Sequence, residues 1–272
     1  MNLHARIQQT QGRGSRLLLF VGLLLALSLP GVGMLWLLLP SSLFSLGASL
    51  WLYVSLLLLL WQWSLAMGDP WYGLRWQRWP WLGWGLLKAG LGLLLLYGVQ
   101  GWLGWLHWQG IPGWAWLQTG AYGLALGLGV AVVEELLFRG WLLTELGSGW
   151  GSALIFAVLH FLRPWEVILA TWGQFLGLFL MGLILNRAKT VGSLAFAVGL
   201  HAGWVAVFSA VSILEAVTWT GVVPGWVTGV GGNPLAGLTG LVALGITGWG
   251  VDRLGGRVEP NYLAQGKNTR LQ

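Results

Sequence analysis

Apolar stretches, each of the roughly twenty residues needed to cross a bilayer core, follow one another almost without pause from Leu17 to Val251. Of 272 residues, 56% are hydrophobic and only 8% charged, too little polar surface to coat a soluble globule. Lipid is therefore the solvent. The expected fold class is all-α, a polytopic transmembrane helical bundle of about eight membrane helices. Windowed hydropathy places the spans at about 17–39, 43–66, 82–106, 115–143, 151–162, 166–185, 191–213 and 235–251, the fifth being short.

Basic residues gather at segment ends: Arg6, Arg13 and Arg16 before the first span, Arg75 and Arg78 after the second, Arg187 and Lys189 after the sixth, and Arg253, Arg257, Lys267 and Arg270 after the eighth. With eight spans all of these fall on one side, and the positive-inside rule places both termini in the cytoplasm, with Arg163 as the exception. This distribution explains the net charge of +6 without a nucleic-acid partner, because no single basic patch forms. The absence of Cys removes disulfides, thiolate metal sites and thiol redox chemistry. The first apolar run continues past Pro30 through Trp36, too long for a cleaved signal, and is expected to be an anchor. The 22 Trp cluster near segment ends, as at Trp71, Trp76, Trp79, Trp81 and Trp84, and suit a headgroup belt. The 44 Gly suit close helix contacts, since no strand and glycine loop precedes a helix as a phosphate cradle would need.

Ionisable residues inside a span cost on the order of 2.5–3.5 kcal/mol each at a helix centre, so each needs a reason. In the fourth span two adjacent carboxylates, Glu134 and Glu135, interrupt an apolar helix, and Arg139 follows. Helical geometry puts Glu135 and Arg139 on one face, four residues apart, and turns Glu134 about 100° away. Glu135 is thus the structural partner of Arg139, and Glu134 is left to act elsewhere. A purely structural ion-pair cluster is the competing reading. His160 and His201 each lie within a span of their own. Counted from Glu145, Trp150 and Thr190, the three groups Glu134, His160 and His201 lie at a common depth of about 15 Å. A carboxylate near two imidazoles can deprotonate water, while an imidazole orients that water or stabilises an oxyanion, which is hydrolytic chemistry. The same three side chains also make a His₂Glu zinc set, and spacing does not choose between the two.

The pattern Glu134-Glu135-x-x-x-Arg139, Phe156-x-x-x-His160 and His201 resembles the intramembrane CAAX-protease and bacteriocin-processing family, also called Abi or CPBP. The resemblance covers about residues 115–213. It implies a glutamate-type membrane endopeptidase, with Glu134 as general base, Glu135 and Arg139 as site-shaping partners, His160 orienting water and His201 stabilising the oxyanion. It implies a peptide or protein substrate at the membrane, with no cofactor favoured; if a divalent metal such as zinc is used, Glu134, His160 and His201 would hold it. The family often has Asn or Asp four residues after the last His, where this chain has Val205, which cannot donate a hydrogen bond. Trp204, Gln174 and Asn186 are the candidate substitute donors. No His-Glu-x-x-His string occurs, no Gly-x-Ser-Gly string occurs, and the only Asp residues, Asp69 and Asp252, stand near span ends.

The expected organisation is a basic arm at 1–16, amino-terminal helices at 17–106, a CAAX-protease-like core at 115–213, an outer loop and last helix at 214–253, and a tail at 254–272. Both tails read as polar and need no order. His4, His107, Glu145, Glu166 and Glu215 are expected to be solvated or interfacial. Val205 motivates a second reading, a non-catalytic scaffold or immunity-type binding protein on the same fold. A third, a proton-coupled transporter, would use the same buried groups, although no internal repeat supports it.

Overall fold

The computed structural model describes residues 3–74 and 78–265, so Arg75, Trp76, Lys267 and Arg270 lie outside the described residues. In chain order the helices are α1 (Leu3–Gln9), α2 (Arg13–Leu38), α3 (Ser41–Ala66), α4 (Trp79–Trp102), α5 (Gly113–Glu135), α6 (Leu143–Leu146), α7 (Gly149–Leu159), α8 (Trp165–Thr171), α9 (Gln174–Gly192), α10 (Leu194–Ile213), α11 (Gly225–Thr228) and α12 (Leu238–Gln265). Between α5 and α6 the chain runs as a π-helix, Leu136–Leu142. One short antiparallel pair, β1 (Leu106–Trp108) with β2 (Val217–Trp219), aligns His107 with Thr218.

Among the described residues six helices are long and apolar enough to cross a membrane: α2, α3, α4, the run from α5 through α6, α9 and α10. Of the eight expected spans, 151–162 corresponds to α7, which at 11 residues rises only about 16 Å and falls short of a bilayer core. Span 166–185 is not continuous. It divides into α8 and α9 at Trp172 and Gly173, and α9 then runs on to Gly192. Span 235–251 lies largely within α12, which is not among the six.

Two compact units make up the chain: residues 1–74 with 133–148, and residues 75–132 with 149–272. The chain passes from one to the other inside α5, between Val132 and Val133.

In the first unit an aromatic cluster forms the core. Phe20 of α2 stacks on Trp141 of the π-helix, with ring centroids 3.7 Å apart, and meets Trp63 of α3 edge-on at 5.4 Å. These tryptophans are buried core residues and not part of a headgroup belt. The amino-terminal arm also departs from expectation. α1 buries Ile7, and Gln8 Nε2 donates to the Ala66 carbonyl at 2.9 Å, so the arm is folded along α3. Arg16 pairs with Glu145 at 2.7 Å, and Glu145 is nearly fully buried, where an interfacial position was expected. His4 likewise shares a hydrogen bond with Gln62 at 2.9 Å.

The second unit is built around α10, the most buried of the six long helices. Its glycines and those of its neighbours bring backbones together, the packing that lipid favours because hydrocarbon tails compete with large apolar side chains but not with close backbone approach. A Cβ added at Gly85 of α4 would come within 2.6 Å of the Leu200 backbone nitrogen. A Cβ at Gly127 of α5 would come within 2.6 Å of the Ala202 carbonyl. α10 is thereby packed closely against both α4 and α5. Buried Gln100 closes the end of α4, donating to the Thr228 carbonyl at 3.0 Å and to Thr239 Oγ1 at 2.8 Å.

Candidate active site

The residues singled out from sequence fall in both units. Glu134, Glu135 and Arg139 belong to the first; Phe156, His160, His201, Gln174, Asn186 and Trp204 belong to the second.

In the first unit the helical spacing of Glu135 and Arg139 produces an ion pair. Arg139 Nη1 donates to Glu135 Oε1 at 2.9 Å, and both side chains are fully buried. Two full charges in so dry a place require mutual compensation, since either alone would carry an uncompensated desolvation penalty. The pair straddles the point where α-helix gives way to π-helix. There each backbone N–H reaches back five residues instead of four, widening the turn, a feature concentrated at functional sites. Glu134 is half-buried and engages a different partner: Tyr53 Oη of α3 donates to Glu134 Oε1 at 3.0 Å. Sequence reasoning missed Tyr53. It lies 81 residues upstream in a span with no ionisable neighbour, and no motif marks it.

Close to the π-helix, Tyr72 lies over Gly140, where a Cβ would come within 2.7 Å of the ring. Trp71 and Tyr72 both adopt the left-handed backbone region, φ 55° and 52°. Among the described residues the Tyr72 hydroxyl has no hydrogen-bond partner. Burial, then the negative charges of Glu145 and Asp69, hold its ionisation well above the usual tyrosine range.

In the second unit two imidazoles pack against one ring. Phe156, fully buried on α7, meets His160 with centroids 4.5 Å apart and His201 nearly perpendicular at 6.1 Å. His201 is buried on α10. His160 stands one residue past α7, in the turn that ends it, and not inside a continuing span as expected. Its Nδ1 donates to the Phe156 carbonyl at 2.7 Å. A carbonyl can only accept, so the neutral ring carries its proton on Nδ1 and presents Nε2 as acceptor. The spacing of four between Phe156 and His160 thus fixes both the position and the tautomer of the imidazole.

Val205 lies half-buried on α10, one turn beyond His201. Of the proposed substitute donors, Gln174 donates to the Val230 carbonyl at 2.9 Å and Asn186 to the Gly149 carbonyl at 2.6 Å. Each of these amides holds a backbone segment in place. Trp204 is buried three residues from His201. Among the described residues no group of three or more His, Asp or Glu is arranged to hold a metal ion.

Residues 116–207, a segment that contains all of these His and Glu positions, match the family model described as Rce1-like, type II CAAX prenyl endopeptidase Rce1-like. The match supports assignment to the CAAX-protease, or CPBP, family. No curated protein and no solved structure matches the chain.

Proposed function

We propose, with the CAAX-protease family assignment of residues 116–207 as premise, that this multi-pass membrane protein is an intramembrane endopeptidase acting on membrane-associated peptides. The observation that carries the reading is the pair of imidazoles, His160 and His201, both set against the Phe156 ring within the matched segment.

In this reading Glu134, which accepts a hydrogen bond from the Tyr53 hydroxyl, is the general base, His160 the water-orienting group and His201 the oxyanion-stabilising group. Glu134 takes a proton from the water while His160 Nε2 accepts the water's other hydrogen bond, and the resulting hydroxide attacks the carbonyl carbon. The developing oxyanion is stabilised by an N–H of His201. As the C–N bond breaks, the carboxylic acid formed at Glu134 returns its proton to the leaving amine. The Glu135–Arg139 pair anchors the helix from which Glu134 projects. Trp204 stands in for the donor lost at Val205. No resident metal is needed for these steps. We place both termini on the cytoplasmic side, on the strength of the basic residues at the segment ends.

Glu134→Gln retains shape and removes the base, so cleavage of a reporter peptide by the reconstituted protein is expected to fall at least about a hundredfold, the lower bound for general-base catalysis, with the thermal unfolding midpoint unchanged. Undiminished cleavage would overturn the assignment. Val205 favours a second reading, a non-catalytic binding protein of the same fold. That reading requires full biological activity in a Glu134→Gln, His160→Ala double variant.

A further inference from the structure

The sequence reading put the basic residues at segment ends, but Lys88 lies well inside α4, nine residues past its first residue, Trp79. A lone cation at such a position is costly in lipid and marks a functional site unless it is compensated. Among the described residues no carboxylate pairs with Lys88.

Lys88 lines a cavity of about 900 Å³ within the second unit, whose wall is shared by α4 and α12 with Phe196 of α10. The lining divides by chemistry. Trp81 and Trp84 stand toward the start of α4, and Leu87 and Leu91 continue the wall inward. From Trp81 to Leu91 the wall runs about 15 Å, the hydrocarbon depth of one leaflet. Among the described residues two cations and no carboxylate line the cavity. Arg253 of α12 lies over the Trp249 ring, its guanidinium carbon 5.0 Å from the centroid, and remains exposed. Lys88 Nζ rests against Gly250, where the missing side chain leaves room for it. Gly250 and Arg253 are three residues apart on α12, so Lys88 Nζ lies beside the turn of α12 that carries Arg253.

We propose that this groove binds one anionic phospholipid, its phosphate held between Lys88 and Arg253 and an acyl chain along Leu87 and Leu91. Charge complementarity selects the occupant. A zwitterionic lipid brings a cation that two basic groups repel, whereas a net negative headgroup supplies the charge that Lys88 lacks, and basic pockets between membrane helices recognise such headgroups. The inference does not depend on the peptidase reading, because none of these residues belongs to the proposed catalytic set.

Native mass spectrometry of the detergent-purified full chain, titrated with dioleoylphosphatidylglycerol or dioleoylphosphatidylcholine, tests it. One anionic lipid should bind per chain, with a preference of roughly thirtyfold over the zwitterionic lipid, the size expected of two basic contacts near a membrane surface. The Lys88→Gln, Arg253→Gln variant should reduce that preference below about threefold, and the charge-conserving Lys88→Arg, Arg253→Lys variant should keep it. If the double glutamine variant fails to fold, exposed Arg253→Gln alone decides, with an expected loss of about fivefold. Equal uptake of the two lipids, an undiminished preference in Arg253→Gln, displacement of the lipid by millimolar glycerol phosphate or by a farnesylated cysteine, or a dimer in place of the lipid adduct would each overturn the proposal.

Discussion

The buried ion pair and the carboxylate beside it divide their labour through their neighbours. Glu135 and Arg139, wholly excluded from solvent, are each other's compensation, so removing one partner exposes the full burial cost of the other. Arg139→Met or Glu135→Gln alone is expected to cost about 3–5 kcal/mol, whereas the double variant should recover most of that loss. Thermal unfolding in detergent across the four members of the cycle checks this, and additive losses would mean that the pair carries no coupling. Tyr72 gives a residue-scale prediction of opposite sign. Its hydroxyl is buried without a hydrogen bond among the described residues, so Tyr72→Phe should be neutral or stabilising at pH 7. In the folded chain its ionisation lies above the ordinary value of 10.0, so above that pH the unfolded chain releases a proton that the folded chain retains. Stability therefore falls as pH rises beyond 10.0, and the Phe variant should lose less over that window than the parent. A circular-dichroism melt at stepped alkaline pH reads the difference; identical slopes for the two proteins would count against it.

At the scale of elements, glycine position decides which faces are contacts. Gly85 and Gly98 both lie on α4, yet a Cβ at Gly85 meets the Leu200 backbone at 2.6 Å, while at Gly98 it meets nothing within 4 Å. Gly85→Leu should therefore wedge α4 from α10 and cost about 3 kcal/mol or more. Gly98→Leu should be neutral or slightly stabilising through better helix propensity. A shared outcome for the two would refute close backbone contact at Gly85. The elements also show where sequence reasoning carries and where it stops. The partnership of Glu135 with Arg139 was legible because it depends only on helical spacing, and the fourth span because its apolar run is long. The π-helix was not legible: a residue gained per turn leaves no mark on hydropathy. The break at Trp172 and Gly173 was hidden in the same way, since α8 and α9 are both apolar. Tyr53 escaped because its relation to Glu134 is tertiary, made across a sequence separation that no local pattern encodes. Lys88 was visible but passed over when the basic residues were assigned to segment ends.

For the molecule as a whole, composition fixed the solvent but not the way the chain crosses it. Among the described residues six helices meet the requirements of length and apolarity, and short α7 together with the divided α8 and α9 accounts for expected spans that hydropathy alone drew as uniform. The stretch 1–16, expected to need no order, is folded over its described residues because Ile7, Gln8 and Arg16 each find a specific partner or a buried seat. The embrace of α4 and α10 also bears on how the protein is made. Trp102 ends α4 and Leu194 begins α10, so α4 emerges from the ribosome about ninety residues before the helix its glycines were shaped to meet. At about 5–20 residues per second that is roughly 5–18 seconds in which the notched face of α4 borders lipid alone. During synthesis the second unit must remain open until α10 enters the bilayer.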